Sequence, residues 1–224
     1  MAGTVVFDLD GTLADTSGDL VAAANACFRG RGLGDLLDPV ADALTAFHGG
    51  RAMLRAGYAR IGPDVLLPPG AEDEDFARFI GHYGDAIAVH TRLYPGVEAA
   101  LDRLDEAGHR LAVCTNKPAA LAEVLLRELG VRERFAAMIG ADTLPVRKPD
   151  PRPYRAAVEG AGGEVGRSFL VGDTETDRKT AAAAGVRVAL VSFGPEGEAI
   201  SRLAPEALLG HFDELPALAR DWLA

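Results

Sequence analysis

The stretch Val5-Val6-Phe7-Asp8-Leu9-Asp10-Gly11-Thr12-Leu13 constrains this chain more than any other. A short apolar run rich in β-branched residues predicts a buried parallel strand. It stops abruptly at two carboxylates followed by Gly-Thr. Side chains alternate along a strand, so Asp8 and Asp10 emerge on the same side. Two like charges that close destabilise each other unless a cation or a shared proton lies between them. Gly11 lets the chain turn sharply and brings backbone amides towards whatever the carboxylates hold. An isolated Asp-x-Asp is an ordinary turn sequence. Placed between an apolar strand and Gly-Thr, it predicts a cation-assisted carboxylate nucleophile.

The 224 residues can bury one full core with room for a modest insertion. After the first strand, Thr16 is positioned to cap a helix through Cys27 and Phe28, with Asp19 in the capping-box position. Residues 39–62 predict two short helices broken at His48-Gly49-Gly50. Pro63 to Gly70 form a stiff connection, and an acidic start at Glu72 opens a helix to about residue 91. The interval 16–92 holds no convincing strand and is expected to be a helical insertion. From residue 93 strands alternate with helices: strands over 110–115, 135–139, 168–171 and 186–191, helices over 96–107, 118–129, 151–161 and 174–184. This alternation predicts an α/β fold, a doubly wound parallel sheet of the Rossmann-like kind, built from 1–15 and 93–224. Residues 196–224 are expected to form terminal helices, with Trp222 packing them onto the core.

In such sheets a ligand lies beyond the carboxyl ends of the strands. Thr115, Asn116 and Lys117 follow one strand and precede a helix, where a hydroxyl and backbone amides can cradle phosphate; Lys117 is expected to be a solvated residue at the helix start. Lys148, one of three lysines beside twenty arginines, sits in a loop held by Pro149 and Pro151. Its ammonium could balance the carboxylates and a phosphate as a point charge. Gly172-Asp173-Thr174-Glu175-Thr176-Asp177 ends another strand, and residues four apart at a helix start share one face. Asp173 as direct ligand with Asp177 ordering a bound water suits Mg²⁺, which favours oxygen ligands and retains waters.

FDLDGTLADT resembles the first motif of the haloacid dehalogenase-like phosphohydrolases. TNK, KPDP and GDTETD are similar to the second, third and fourth motifs, in the expected order. The resemblance spans essentially the whole chain and implies that 16–92 is the helical cap. It implies Asp8 as the nucleophile that forms an aspartyl-phosphate and Asp10 as the acid and then the base. It further implies that Thr115, Asn116 and Lys148 bind the phosphoryl group and that Asp8, Asp10, Asp173 and, through water, Asp177 hold Mg²⁺. Family members that attack carbon lack the second aspartate of the first motif, present here as Asp10. Those that cleave phosphonates use a cap lysine, and 16–92 contains none. Phosphoryl transfer is what remains.

The segments LDGTLADTSGDL, GADTLPVRKPDP and GDTETD look most like the phosphoglycolate phosphatases, which implies 2-phosphoglycolate as substrate. Gly49, Gly50 and Arg51 are the candidate cap residues for its carboxylate. The alternatives are a phosphatase of another small phosphometabolite, a β-phosphoglucomutase-like isomerase sharing the core motifs, or a non-catalytic Mg²⁺- and phosphate-binding module. Other phosphatase chemistries lack their motifs: Leu33 and Ala120 stand where a Cys-x5-Arg would place arginine after Cys27 and Cys114. A net charge of −10 argues against nucleic-acid and anionic-membrane partners. Two cysteines, no secretory segment and no apolar run near the roughly 18 residues of a membrane span predict a cytoplasmic protein, a monomer or homodimer acting on a small phosphorylated metabolite.

Overall fold

The computed structural model describes residues 3–62, 65 and 67–224. Contacts divide the chain into two compact units, Met1–Asp15 with Leu93–Ala224, and Thr16–Arg92. In chain order, β1 (Thr4–Phe7) and β2 (Ala14–Asp15) lead into α1 (Ser17–Gly30), α2 (Ala43–Ala46), α3 (Gly50–Tyr58) and α4 (Ala71–Asp85). There follow β3 (Arg92–Leu93), α5 (Val97–Glu106), β4 (Arg110–Cys114), α6 (Ala119–Glu128), β5 (Ala137–Ile139) and α7 (Pro151–Gly160). The chain ends with β6 (Ser168–Gly172), α8 (Glu175–Ala184), β7 (Arg187–Val191), β8 (Ala207–Leu209) and α9 (Leu215–Leu223).

In the first unit six parallel strands lie in the order β5-β4-β1-β6-β7-β8. β1 is central and buried on both faces, as a strand sandwiched between helical layers must be. Val6 joins Ala112, Cys114 and Leu170 against Tyr154 and Ala157 of α7 and Ala181 of α8. On the neighbouring strand β6, Phe169 meets Trp222 of α9 edge-on at 5.0 Å, the packing expected of that tryptophan. Phe7 pairs in register with Val113 on one side and Val171 on the other. The loops after β1, β4 and β6 therefore leave the sheet at one level, and the Asp8 N–H still donates to Val171 O at 2.9 Å.

In the second unit α1 packs against α4 and α3. The wholly buried Asp75 is held by Arg31, Tyr58 and Arg78. Gly57 permits the close approach, since a Cβ there would lie 2.2 Å from the Phe28 ring.

Several expectations need correction. Thr16 makes no side-chain cap on α1, and no capping box forms with Asp19. Asp19 instead accepts hydrogen bonds from His90 N–H, Thr91 N–H and the Thr91 hydroxyl, at 2.7–3.1 Å. α4 ends at Asp85, short of residue 91, because Ala86 leaves the helical region at φ −140° and ψ 45°. The C-terminal region is not wholly helical: Ala207–Leu209 adds an edge strand paired with β7. Three residues are too few to show a strand period, and pairing with β7 decides their conformation. Pro63, Asp64 and Leu66 of the expected stiff connection lie outside the described residues.

Candidate active site

Asp8 directly follows β1, is 8% exposed and accepts a hydrogen bond from Leu9 N–H at 2.7 Å. The loop then folds tightly: Leu9 O accepts from Leu13 N–H at 3.0 Å, while Gly11, at φ +78°, donates to Ala14 O. That left-handed turn is open to glycine at little cost. It points the buried Thr12 hydroxyl at Asp173, 2.8 Å away across 161 residues of sequence.

Asp173 and Asp177 stand at the end of β6 and the start of α8. Thr174 caps the helix in a reciprocal capping box with Asp177. One Asp177 oxygen accepts from the N–H groups of Asp173 and Thr174 and from the Thr174 hydroxyl; the other accepts from Lys148 Nζ at 2.7 Å. Gly172 makes this possible, because a Cβ there would stand 2.4 Å from the Asp177 carboxyl carbon. Lys148 also lies 3.0 Å from Asp8, and its backbone carbonyl accepts from Asn116 Nδ2 at 3.0 Å. Thr115 is buried at the end of β4, where its hydroxyl accepts from Lys117 N–H.

Carboxylate oxygens of Asp8, Asp173 and Asp177 lie within 4.8 Å of one another, all three side chains buried. Such crowding has an electrostatic cost. Burial pushes the Asp8 carboxyl up to about 6, with Lys148 pulling it down and Asp177 pushing it up. Burial also lifts Asp173 well above the usual carboxylate range, reinforced by Asp177 and Asp8. Burial disfavours the Lys148 ammonium, yet Asp177 and Asp8 hold its pKa above the ordinary value. One lysine does not neutralise three acids. Asp173 Oδ2 is buried without a hydrogen-bond partner, and an orphaned carboxylate oxygen facing two others suits a hard divalent cation. The nearby Cys114 thiol is pushed up to about 12 by burial, which leaves it an inert core residue.

Of the expected residues, Asp8, Lys148, Asp173 and Asp177 converge, with Thr115 and Asn116 in the adjoining loop. The Asp10 carboxylate does not join the cluster. Its Oδ1 is instead paired with Lys117 Nζ at 2.7 Å, because that ammonium offers it a partner away from the other acids. Lys117 accordingly is not a solvated helix-start residue: its side chain is 4% exposed. Thr12, Gly172 and Thr174 complete the site without having been singled out by sequence reasoning, and Lys117 joins them although it was expected to be solvated. Thr174-x-x-Asp177 was legible as a capping box, and Lys117 as a scarce lysine at a strand end.

Gly49, Gly50 and Arg51 lie in the other unit at the start of α3. Gly49 adopts φ +94°, and a Cβ on Gly50 would stand 2.5 Å from the Phe79 ring, so both glycines have backbone reasons to be there. Arg51 pairs with Asp73 at 2.7 Å and Glu72 at 3.6 Å, and lies over the Phe76 ring.

The parallel α/β sheet thus gathers acids and a buried lysine at its strand ends, a donor set whose chemistry suits a cation beside an oxyanion. The model of the haloacid dehalogenase-like hydrolases matches residues 2–185, and the chain belongs to that family. It is 39% identical over 211 residues to a phosphoglycolate phosphatase of Mesorhizobium japonicum, covering 94% of this chain and 92% of the relative. It is 41% identical to one of Cereibacter sphaeroides, covering 98% and 99%. Among solved structures, a predicted phosphoglycolate phosphatase from Haemophilus somnus superimposes with a TM-score of 0.85 at 25% identity, covering 97% of each chain. Phosphatases of this family generally use Mg²⁺.

Proposed function

We infer that this chain hydrolyses a small phosphomonoester, with 2-phosphoglycolate as its substrate, through a phosphoryl intermediate on Asp8. The observation that carries the reading is the buried cluster of Asp8, Lys148, Asp173 and Asp177, whose one orphaned oxygen belongs to Asp173. The substrate follows from relatives about 40% identical over nearly the whole chain, each named a phosphoglycolate phosphatase.

Asp8 attacks phosphorus in line with the leaving oxygen, which takes the departing electron pair and a proton from Asp10. Asp10 then removes a proton from the water that cleaves the aspartyl-phosphate and is ready for another cycle. Lys148 and the Thr115 loop hold the phosphoryl oxygens and offset charge on them. Asp177 orients Lys148 and the Asp173 backbone. Mg²⁺, held by Asp8 and Asp173 with Asp177 beside them, would supply the further positive charge that the phosphoryl oxygens need. The helical unit 16–92 acts as the cap, with Gly49, Gly50 and Arg51 as its candidate recognition residues. Because Arg51 is committed to Asp73 and Glu72, recognising a substrate carboxylate requires an exchange of ionic partners.

The acidic balance of the chain supports a metabolite as partner, with no role for nucleic acid or membrane, and a monomer or homodimer in the cytoplasm. No helix among the described residues is long and apolar enough to cross a membrane, and both free cysteines are buried. The test is phosphate release from a panel of small phosphomonoesters with Mg²⁺. Phosphoglycolate should give the highest kcat/KM. Conversion of a sugar phosphate without phosphate release would make the protein an isomerase, and no turnover of any ester would end the hydrolase reading.

A further inference from the structure

Lys117 is a second buried lysine at the carboxyl edge of the sheet, and the phosphoryl-binding scheme above does not use it. Its backbone is fixed at both ends: its N–H donates to the Thr115 hydroxyl at 3.1 Å and its carbonyl accepts from Ala141 N–H at 2.9 Å. The ammonium therefore projects from a rigid point. Asp10 is similarly fixed, bridging to Ala14 within the turn that Gly11 closes. Between these anchors the Lys117 Nζ to Asp10 Oδ1 bond measures 2.7 Å, with the lysine side chain 4% exposed and the aspartate 22%. The Asp10 carboxylate stays outside the acidic cluster of Asp8, Asp173 and Asp177.

We propose that Lys117 is a positioning residue for Asp10, holding Oδ1 so that Oδ2 alone faces the leaving oxygen and the carboxylate is kept away from the cation site. The inference rests on the hydrolase reading, in which Asp10 is the acid and then the base. An ammonium can only donate, so it fastens Oδ1 whether Asp10 is ionised or protonated. Oδ2 is then the atom that gives its proton to the leaving oxygen as the P–O electron pair departs, and that takes one back from water. Without Lys117, the Asp10 carboxylate loses its ionic partner and can be drawn to the positive charge of Lys148. A carboxylate drawn there would be misplaced for proton transfer and would compete with Asp173.

The experiment compares wild type, Lys117→Met, Asp10→Asn and the double variant, each first shown to be folded by circular dichroism and thermal melting. Kinetics are read with phosphoglycolate and with p-nitrophenyl phosphate, whose leaving group departs without a proton. Lys117→Met should lower kcat on phosphoglycolate about 10- to 100-fold with little change in KM. On p-nitrophenyl phosphate it should leave the first nitrophenol burst nearly intact and slow only the following steady state, in which Asp10 acts as base. If Lys117 works through Asp10, the double variant loses no more than Asp10→Asn alone. Additive losses, equal losses in the burst and the steady state, or a rise confined to KM would each overturn the proposal; the last would make Lys117 a direct substrate contact. Should wild type hydrolyse neither ester, the underlying hydrolase reading fails instead, and the two failures are distinguishable.

Discussion

The Lys148 ammonium stands 2.7 Å from Asp177, with the two side chains 1% and 0% exposed. Each charge is there because of the other. Removing one partner of such a pair typically costs about 3–5 kcal/mol, because the survivor is left charged and unsolvated. Lys148→Met should therefore abolish turnover and also lower the stability of the metal-free protein by roughly that amount. Urea unfolding with and without Mg²⁺ checks this; an unchanged midpoint without metal would show that Asp177 has other compensation.

Gly172→Ala places one methyl group against the Asp177 carboxyl at 2.4 Å. Asp177 cannot yield, since both its oxygens are held. Overpacking of this kind costs about 1–3 kcal/mol, and the displaced carboxylate should also weaken Mg²⁺ binding. Calorimetric titration of the metal should show lower affinity in a folded protein. Unaltered affinity would mean that α8 moves as a body.

Stability should depend on pH in a metal-dependent way. The Asp8 carboxyl ordinarily titrates near 3.8 and in the folded chain near 6. Below both values the folded and unfolded states hold the proton alike. Between them only the folded state keeps it, so the metal-free protein loses stability as pH rises from about 4 to about 6. Mg²⁺ competes with that proton, and its upward shift of Tm should grow over the same interval. A metal-induced shift independent of pH would contradict this.

Asp8→Asn should remove turnover while keeping the fold, because the amide is nearly isosteric and no longer a nucleophile. Phosphate release and circular dichroism test the two halves of that statement. Residual turnover near the wild-type rate would show that Asp8 does not carry the phosphoryl group.

Arg51→Ala should lower kcat/KM for phosphoglycolate about 10- to 100-fold, roughly 1.4–2.8 kcal/mol. It should leave an aryl phosphate without a carboxylate nearly untouched. The Arg51 side chain is 43% exposed, so losing its pairs with Asp73 and Glu72 should cost little stability. Equal losses on both substrates would indicate damage to α3, and no loss on either would move recognition to another residue.

What sequence alone determined is local or periodic. A β-branched run before Asp8, strand-helix alternation beyond residue 93, and acids or lysine after predicted strands locate the loops where Asp8, Lys148, Asp173 and Asp177 converge. Burial on both faces makes that pattern visible, because a central parallel strand tolerates few polar residues until it ends. The tertiary structure decided which of these groups meet. Thr12 with Asp173 and Lys117 with Asp10 are separated by 161 and 107 residues, and nothing in either segment alone selects the partner. Asp19 reads as a capping residue until the returning chain offers it three donors at His90 and Thr91. Ala207–Leu209 acquires strand geometry only from the open edge of β7. A buried polar group takes the partner that the fold brings to it, since leaving it unpaired costs more than any local preference supplies.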